Sequence, residues 1–440
     1  DTVLNEVAAA NTGEPYAVYV GDAKATSSFD ILDDAPAARA GADPLFAGGE
    51  PPTDGPAVDG GRMPARKGRR KGLYVLLALV VVVLLVGGGL AWKFLVMDRK
   101  DYSSTTGERP ALVQIPDNAP VREAGDILTD AGVVGSQKAF VNAAGDSAIS
   151  AGFYKLPTHI SAATAVKLMQ GNGNRVGRAV IPEGAQLDSK KGADGNTRKG
   201  VFEMLADATR VEADGKTYGV TVEQLQKAAA TSTPEELGVP AWAKAPVAKL
   251  NGDHRRIEGL IASGAWESLD PRMDAKSLLK YLISQSATRF ESWGLLGSNE
   301  SGLLPYDTLI VASIVEAETK HPEDAPKVAR VILNRLAKDQ KLEMDSTVNY
   351  TADINDIDVH GEAYRDANAW NTYQHDGLPV TPIGSIGQMA LQSVEHPAQG
   401  KWLYFVTVDK HGTTLFADNF EKHKRNREVA CKNKLLTVGC

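Results

Sequence analysis

"LIVASIVEAETKHPED", Leu309 to Asp324, is the stretch that organises the sequence. Its aliphatics recur at helical spacing until His321-Pro322, where proline removes the donor needed to continue a helix. Two acids, Glu316 and Glu318, sit near that end. Projected at about 100° per residue, Val311, Ile314, Val315 and Glu318 fall at i, i+3, i+4 and i+7. Glu316 lies about 160° away on the same projection, beside Leu309, Ala312 and Ser313. A carboxyl held against aliphatic side chains loses hydration of its charged form, so its pKa rises. That is what a general acid protonating a leaving oxygen needs. The bland alternative is that Glu318 stands at the helix end, where the stripe has already run into solvent. Glu316, on the small-residue face, is expected to be an ordinary surface carboxylate or salt-bridge partner.

Further toward the N-terminus the 440-residue chain changes character. Residues 1–61 carry eleven acids against two bases, with Ala, Gly and Pro filling much of the rest. Such a segment buries too little apolar surface to offset its chain entropy and is expected to be disordered. "RMPARKGRRK" (62–71) follows, then the uncharged run "GLYVLLALVVVVLLVGGGLAW" (72–92). As a helix that run rises about 31 Å, close to a bilayer core of about 30 Å. A single transmembrane helix is expected over 72–95. A signal peptide fits less well, because about 70 residues precede the run and no small-residue cleavage site closes it. Bases cluster before the span and thin out after it, which predicts a cytoplasmic N-terminus and an extracytoplasmic remainder at the cell membrane. The basic run is read as a topology signal with attraction to anionic lipid, not as a nucleic-acid site.

Both cysteines, Cys431 and Cys440, lie in the last ten residues on the oxidising side of that topology, and their pairing is left open. With two thiols and no HExxH or comparable histidine spacing, no metal site and no cofactor are expected. The predicted fold class is α+β. Residues 110–173 read as a β-α-α-β unit with an added helix. A second lobe follows at 174–255, with a strand around 175–184 and the polar insertion "SKKGADGNTRKG" read as a loop. A C-terminal α+β domain fills 256–440, ending in a hairpin made from "WLYFVTV" (402–408) and "TTLFA" (413–417).

Around the opening stretch the motifs accumulate: "VASIVEAET", "VARVILNRL" (328–336), "LEMDSTVNY" (342–350), "WNTYQHDGLPVTPIGSIG" (370–387), "SVEHPA" (393–398) and "WLYFVTVDKHGTTLFADNFEKH" (402–423). Together, in this order, they resemble the endolytic murein transglycosylases of the MltG (YceG-like) family over essentially all of 301–423. Residues 1–71 lie outside the resemblance. The resemblance implies a LysM-like module at 110–173 and a transglycosylase catalytic domain at 256–440. The activity it implies is cleavage within peptidoglycan glycan strands at the MurNAc–GlcNAc β-1,4 bond, leaving 1,6-anhydro-MurNAc ends. It also implies that Glu318, the second glutamate of the family's E-x-E-T motif, is the catalytic residue. The polar positions it matches are Asn334, Asp345, Thr347, Tyr350, Asn371, Thr372 and Tyr373, read as glycan-binding or, equally, as caps and buried hydrogen bonds. Glycan strands, the cell membrane and membrane-bound peptidoglycan synthases are the expected partners. A muramidase-type hydrolase and a non-catalytic glycan-binding scaffold are the alternatives.

Two positions depart from the family pattern. Asp345-Ser346-Thr347 stands where the family commonly has Asp-Pro-Thr, a change expected to alter only local stiffness. "RIEGLIASGAWESLDP" (256–271) lacks the aromatic, proline and aspartate features of the corresponding family segment, leaving Glu258 a weak binding candidate.

Overall fold

The computed structural model describes residues 100–440 apart from 193, 353, 356–361 and 437–439. The tail at 1–71 and the expected span at 72–95 lie outside the described residues. Among the described residues no helix is long and apolar enough to cross a membrane.

The chain runs β1 (Pro110–Ile115), α1 (Val121–Asp130), α2 (Gln137–Ala144), β2 (Gly152–Pro157), α3 (Ala162–Gln170), β3 (Arg175–Val176), β4 (Ala179–Ile181), β5 (Lys190–Gly192) and β6 (Thr197–Arg198). It continues through α4 (Val201–Thr209), β7 (Val211–Ala213), β8 (Lys216–Tyr218), α5 (Val222–Thr231), α6 (Ala241–Lys249), β9 (Gly264–Trp266), α7 (Ala275–Trp293), α8 (Pro305–Glu318) and α9 (Ala325–Leu336). The last elements are α10 (Asp345–Thr351), β10 (Ile354–Asn355), α11 (Glu362–Arg365), α12 (Gln388–Glu395), β11 (Tyr404–Thr407), β12 (Thr414–Ala417) and α13 (Phe420–Lys432). The architecture is mixed α+β, with helices around small sheets of two or three strands.

The β-α-α-β order over 110–157 is present. β1 and β2 pair antiparallel, and Ala111, Val113 and Ile115 point from alternate positions of β1 into a core with Leu128, Phe140 and Leu156. Ser136 and Ser161 cap α2 and α3 by accepting the N–H of Ala139 and Thr164. A second core takes residues from Ala179 to Val247 together with residues from Ile257 to Val394, so both stretches share one interior.

The strand expected around 175–184 is divided between two sheets. β3 joins β2, whereas β4 pairs with β9. The switch occurs at Gly177, whose φ of +70° belongs to the left-handed region, and where a Cβ would stand 2.0 Å from the carbonyl oxygen of Leu269. The polar insertion is not a plain loop either. β5 within it is the central strand of a sheet ordered β10-β5-β6, and its parallel partner β10 follows α10 directly. Chain composition could not signal this, because the strand is short, polar and paired at long range.

Helix α8 starts with Pro305 at its first position and runs through the middle of the larger core. Every residue from Thr308 to Val315 is buried, against α6, α9, α10 and α12. The two-faced projection therefore does not describe it: neither face meets solvent, and both acids emerge at its C-terminal end. The hairpin β11–β12 is antiparallel as expected. It is tied to α9 by the Asn334 amide, which donates to the carbonyls of Gly400 (3.1 Å) and Trp402 (2.9 Å). Cys440 is joined by a disulfide to Cys431 on α13.

Candidate active site

Glu318 is the last residue of α8; Thr319 beyond it turns to extended backbone. The residue is half-buried, with protein crowding its carboxyl. Loss of hydration raises its pKa above the usual carboxylate range, and the charge of neighbouring Asp345 adds to the rise. Contacts with Ser346 and the more distant charge of Arg335 pull it back. The negative end of the α8 dipole acts in the same direction as burial. One donor is aimed at the carboxyl: the Ser346 N–H lies 3.2 Å from Oε1.

Asp345 and Ser346 open α10, which stands across from the end of α8. Tyr373 donates its hydroxyl to Asp345 Oδ1 at 2.7 Å, and burial with the nearby Asp345 charge holds that phenol protonated. Tyr364 lies against the Tyr373 ring, with centroids 4.4 Å apart. Behind them, Thr347 and Thr372 form a buried lattice. Their hydroxyls are 2.9 Å apart, Thr372 Oγ1 accepts the Met344 N–H, and Thr347 Oγ1 accepts the Thr372 N–H. This lattice fastens "WNTY" to "EMDSTV", which explains why two motifs 25 residues apart present one surface.

Asn371 is fully buried; its amide donates to the carbonyls of Tyr364 and Asp366 and its Oδ1 accepts the Tyr373 N–H. Tyr350 is also inside, donating to Glu258 Oε2 at 2.9 Å. Among the sequence-selected polar residues, the structure thus brings Asp345 and Tyr373 to Glu318. It turns Thr347, Tyr350, Asn371 and Thr372 inward and sets Asn334 on the hairpin backbone. Glu258 is 1 % exposed, and burial pushes its carboxyl up to about 7 against the opposing hydrogen bonds from Leu187 N–H and Tyr350. Its position is inside the wall behind α10, away from a binding surface. At the other end of α10, Lys190 from β5 donates to the carbonyls of Asn349 (2.5 Å) and Tyr350 (2.6 Å), a cation at a helix C-terminus.

Arg335 escaped the sequence reading. It is 6 % exposed, donates from Nε to Leu403 O and from Nη1 to Leu342 O, both at 2.6 Å, and lies 5.0 Å from the Tyr404 ring centre. The signal was available: Val328, Val331, Ile332 and Arg335 repeat the i, i+3, i+4, i+7 pattern that singled out Glu318.

Glu316 is not the solvated carboxylate expected of it. It is half-buried, accepts the Gly387 N–H at Oε2 (3.1 Å), and shares its surroundings with Glu183. Burial, with the Glu183 charge as a second cause, pushes it up to about 7. One turn earlier on the same helix, Ser313 Oγ accepts the Ile383 N–H at 3.0 Å. The "GLPVTPIGSIG" segment is therefore pinned along one side of α8 while α10 closes on the other.

The YceG-like family model matches residues 113–429, most of the chain. The chain belongs to the YceG-like family. It is 25% identical over 362 residues to a Bacillus subtilis protein named endolytic murein transglycosylase, covering 80% of this chain and 93% of that one. It is 25% identical over 377 residues to a Streptococcus pneumoniae protein of the same name, covering 82% of this chain and 66% of that one. A solved structure of a putative YceG-like protein from Listeria monocytogenes is 21% identical, with a TM-score of 0.47, and covers 72% of this chain and 99% of its own.

Proposed function

We propose that this YceG-like protein is an endolytic lytic transglycosylase that cleaves peptidoglycan glycan strands at the MurNAc–GlcNAc β-1,4 bond, with Glu318 as its acid and base. The observation that carries the reading is the Glu318 carboxyl: half-buried, raised in pKa, and held by a backbone donor at the end of a buried helix. Protonated, it gives its proton to the glycosidic oxygen as the bond to the anomeric carbon breaks. Ionised, it takes the proton of the MurNAc C6 hydroxyl, whose oxygen closes on the anomeric carbon and leaves the 1,6-anhydro end. One carboxyl performs both steps because the nucleophile belongs to the substrate, whereas a hydrolase normally sets two carboxyls on opposite sides of the bond. Asp345, accepting from Tyr373, is read as orienting the site and raising the Glu318 pKa.

The remaining parts of the reading concern location. In this reading the span expected from the sequence at 72–95 is the membrane anchor, the catalytic domain acts outside the cytoplasmic membrane, and the β-α-α-β unit serves as a LysM-like glycan-binding module. Tethering beside a membrane-bound synthase raises the effective concentration of nascent strands and suits a terminator of elongation.

Digestion of glycan strands by the protein and by Glu318→Gln tests the chemistry. Anhydro ends from the wild type and their loss in the variant are expected. Reducing ends, one water heavier by mass spectrometry, would assign a muramidase instead, and retained glycan binding without product would assign a scaffold.

A further inference from the structure

The first backbone N–H groups of a helix have no partner within it. At the second position of α10 this leaves the Ser346 N–H free, and it is spent on Glu318 Oε1. A proline there has no such donor. The Ser346 hydroxyl, buried beside it, makes no hydrogen bond of good geometry, although its nearness to the carboxyl also lowers the Glu318 pKa; the N–H is the group with directed geometry.

We propose that Ser346 is a positioning residue for catalysis: its backbone N–H fixes the orientation of the Glu318 carboxyl and favours the ionised form that accepts the C6 hydroxyl proton. This inference rests on the assignment of Glu318 as acid and base. Three other groups bear on Glu318: Asp345 from α10 and Tyr373 from the "WNTY" segment, and the Arg335 guanidinium from α9. Asp345 disfavours the anion and Arg335 favours it. Ser346 supplies a directed hydrogen bond in place of a distant charge, so among these groups it is the one that orients the carboxyl. The position also explains why α10 is held so firmly. Lys190 fixes its C-terminal carbonyls, Glu258 receives the Tyr350 hydroxyl, and the Thr347–Thr372 lattice holds its first turn. A donor 3.2 Å from its acceptor loses its effect if the helix bearing it drifts.

The test compares Ser346→Pro, which deletes the N–H, with Ser346→Ala, which deletes only the hydroxyl. The readout without substrate is the titration of Glu318 by carboxyl NMR. The expected result is an upward shift of about one pH unit in Ser346→Pro, as for loss of a hydrogen bond to a charged group, and a smaller upward shift in Ser346→Ala, which keeps the N–H. The alkaline limb of glycan cleavage should move by the same amount, with KM unchanged. Because proline can disturb the turn, the wild type provides a second measurement: the Ser346 amide proton should titrate with the Glu318 carboxyl and cease to titrate in Glu318→Gln. Equal shifts in both Ser346 variants, or a Ser346 amide that does not follow Glu318, overturns the proposal. A correct NMR titration with no cleavage by the wild type would instead count against the proposed function.

Discussion

Glu316 and Glu318 leave the same helix two residues apart, and their surroundings differ in what they permit. Glu318 opens toward α10, where Ser346, Asp345 and Tyr373 meet it and polar groups face the same space. Glu316 turns toward the "GLPVTPIGSIG" segment, where a backbone N–H and a second carboxylate, Glu183, meet it. Burial raises both pKa values, so a raised pKa by itself does not distinguish a catalytic acid from a structural one. What separates them is the neighbour. Each glutamate accepts one backbone N–H and has one carboxylate beside it, but the aspartate beside Glu318 is itself engaged by a tyrosine, whereas the donor to Glu316 belongs to a segment that is pinned along α8.

The largest effects are expected when each acid is neutralised in turn. Glu318→Gln should lower glycan cleavage by about 100- to 10,000-fold in a product assay, the range for loss of a general acid or base. Glu316→Gln should retain cleavage, and equal losses in the two variants would mean that the two acids do not differ in role.

Next in size is the effect of Asp345→Asn. Removing that charge takes away one cause of the Glu318 rise, so the Glu318 pKa should fall and the alkaline limb of activity should move to lower pH, while the amide still accepts from Tyr373. An unmoved limb would mean that Asp345 acts on substrate and not on Glu318.

A stability measurement sharpens the other side. In the folded protein Glu316 holds its proton up to about 7, above its value in the unfolded chain. Below the unfolded value both states are protonated and nothing is lost. As the pH climbs through the window up to about 7, the unfolded state ionises first, and folding loses stability. The wild type should therefore lose melting temperature relative to Glu316→Gln as pH rises from 4.5 to 7.5, and a constant difference would refute the burial argument. The smallest expected effect is that of Glu183→Gln, which should lower the Glu316 pKa, since Glu183 is the second cause of the rise after burial. NMR titration of Glu316 reads it directly.

Much of the smaller unit was legible because its signals are local. Ser136 and Ser161 precede their helices, Gly145 and Gly171 follow them, and β1 alternates. The same holds for the capping box of Thr221 and Gln224 ahead of α5, and for Leu278, Leu279, Leu282 and Ile283 on the buried side of α7. The polar insertion and the sheet switch at Gly177 were illegible. One depends on a partner strand far away in sequence, the other on a carbonyl contributed by Leu269. Helical projection singled out Glu318 for an incomplete reason: it assumed a solvent face that α8 does not have.

From sequence alone came the helical period that isolates Glu318, the order of motifs, and the residue types able to hold or move a proton. Those follow from spacing along one chain, which covalent geometry turns directly into local structure. Only the tertiary structure decided that Thr347, Asn371 and Thr372 are spent on fastening one motif to another, that Glu258 and Lys190 hold α10 from both ends, and that Ser346 adds a donor to Glu318. Such roles depend on which distant segments share a low-dielectric interior, because burial and neighbouring charge, not residue type, set how tightly a carboxyl keeps its proton.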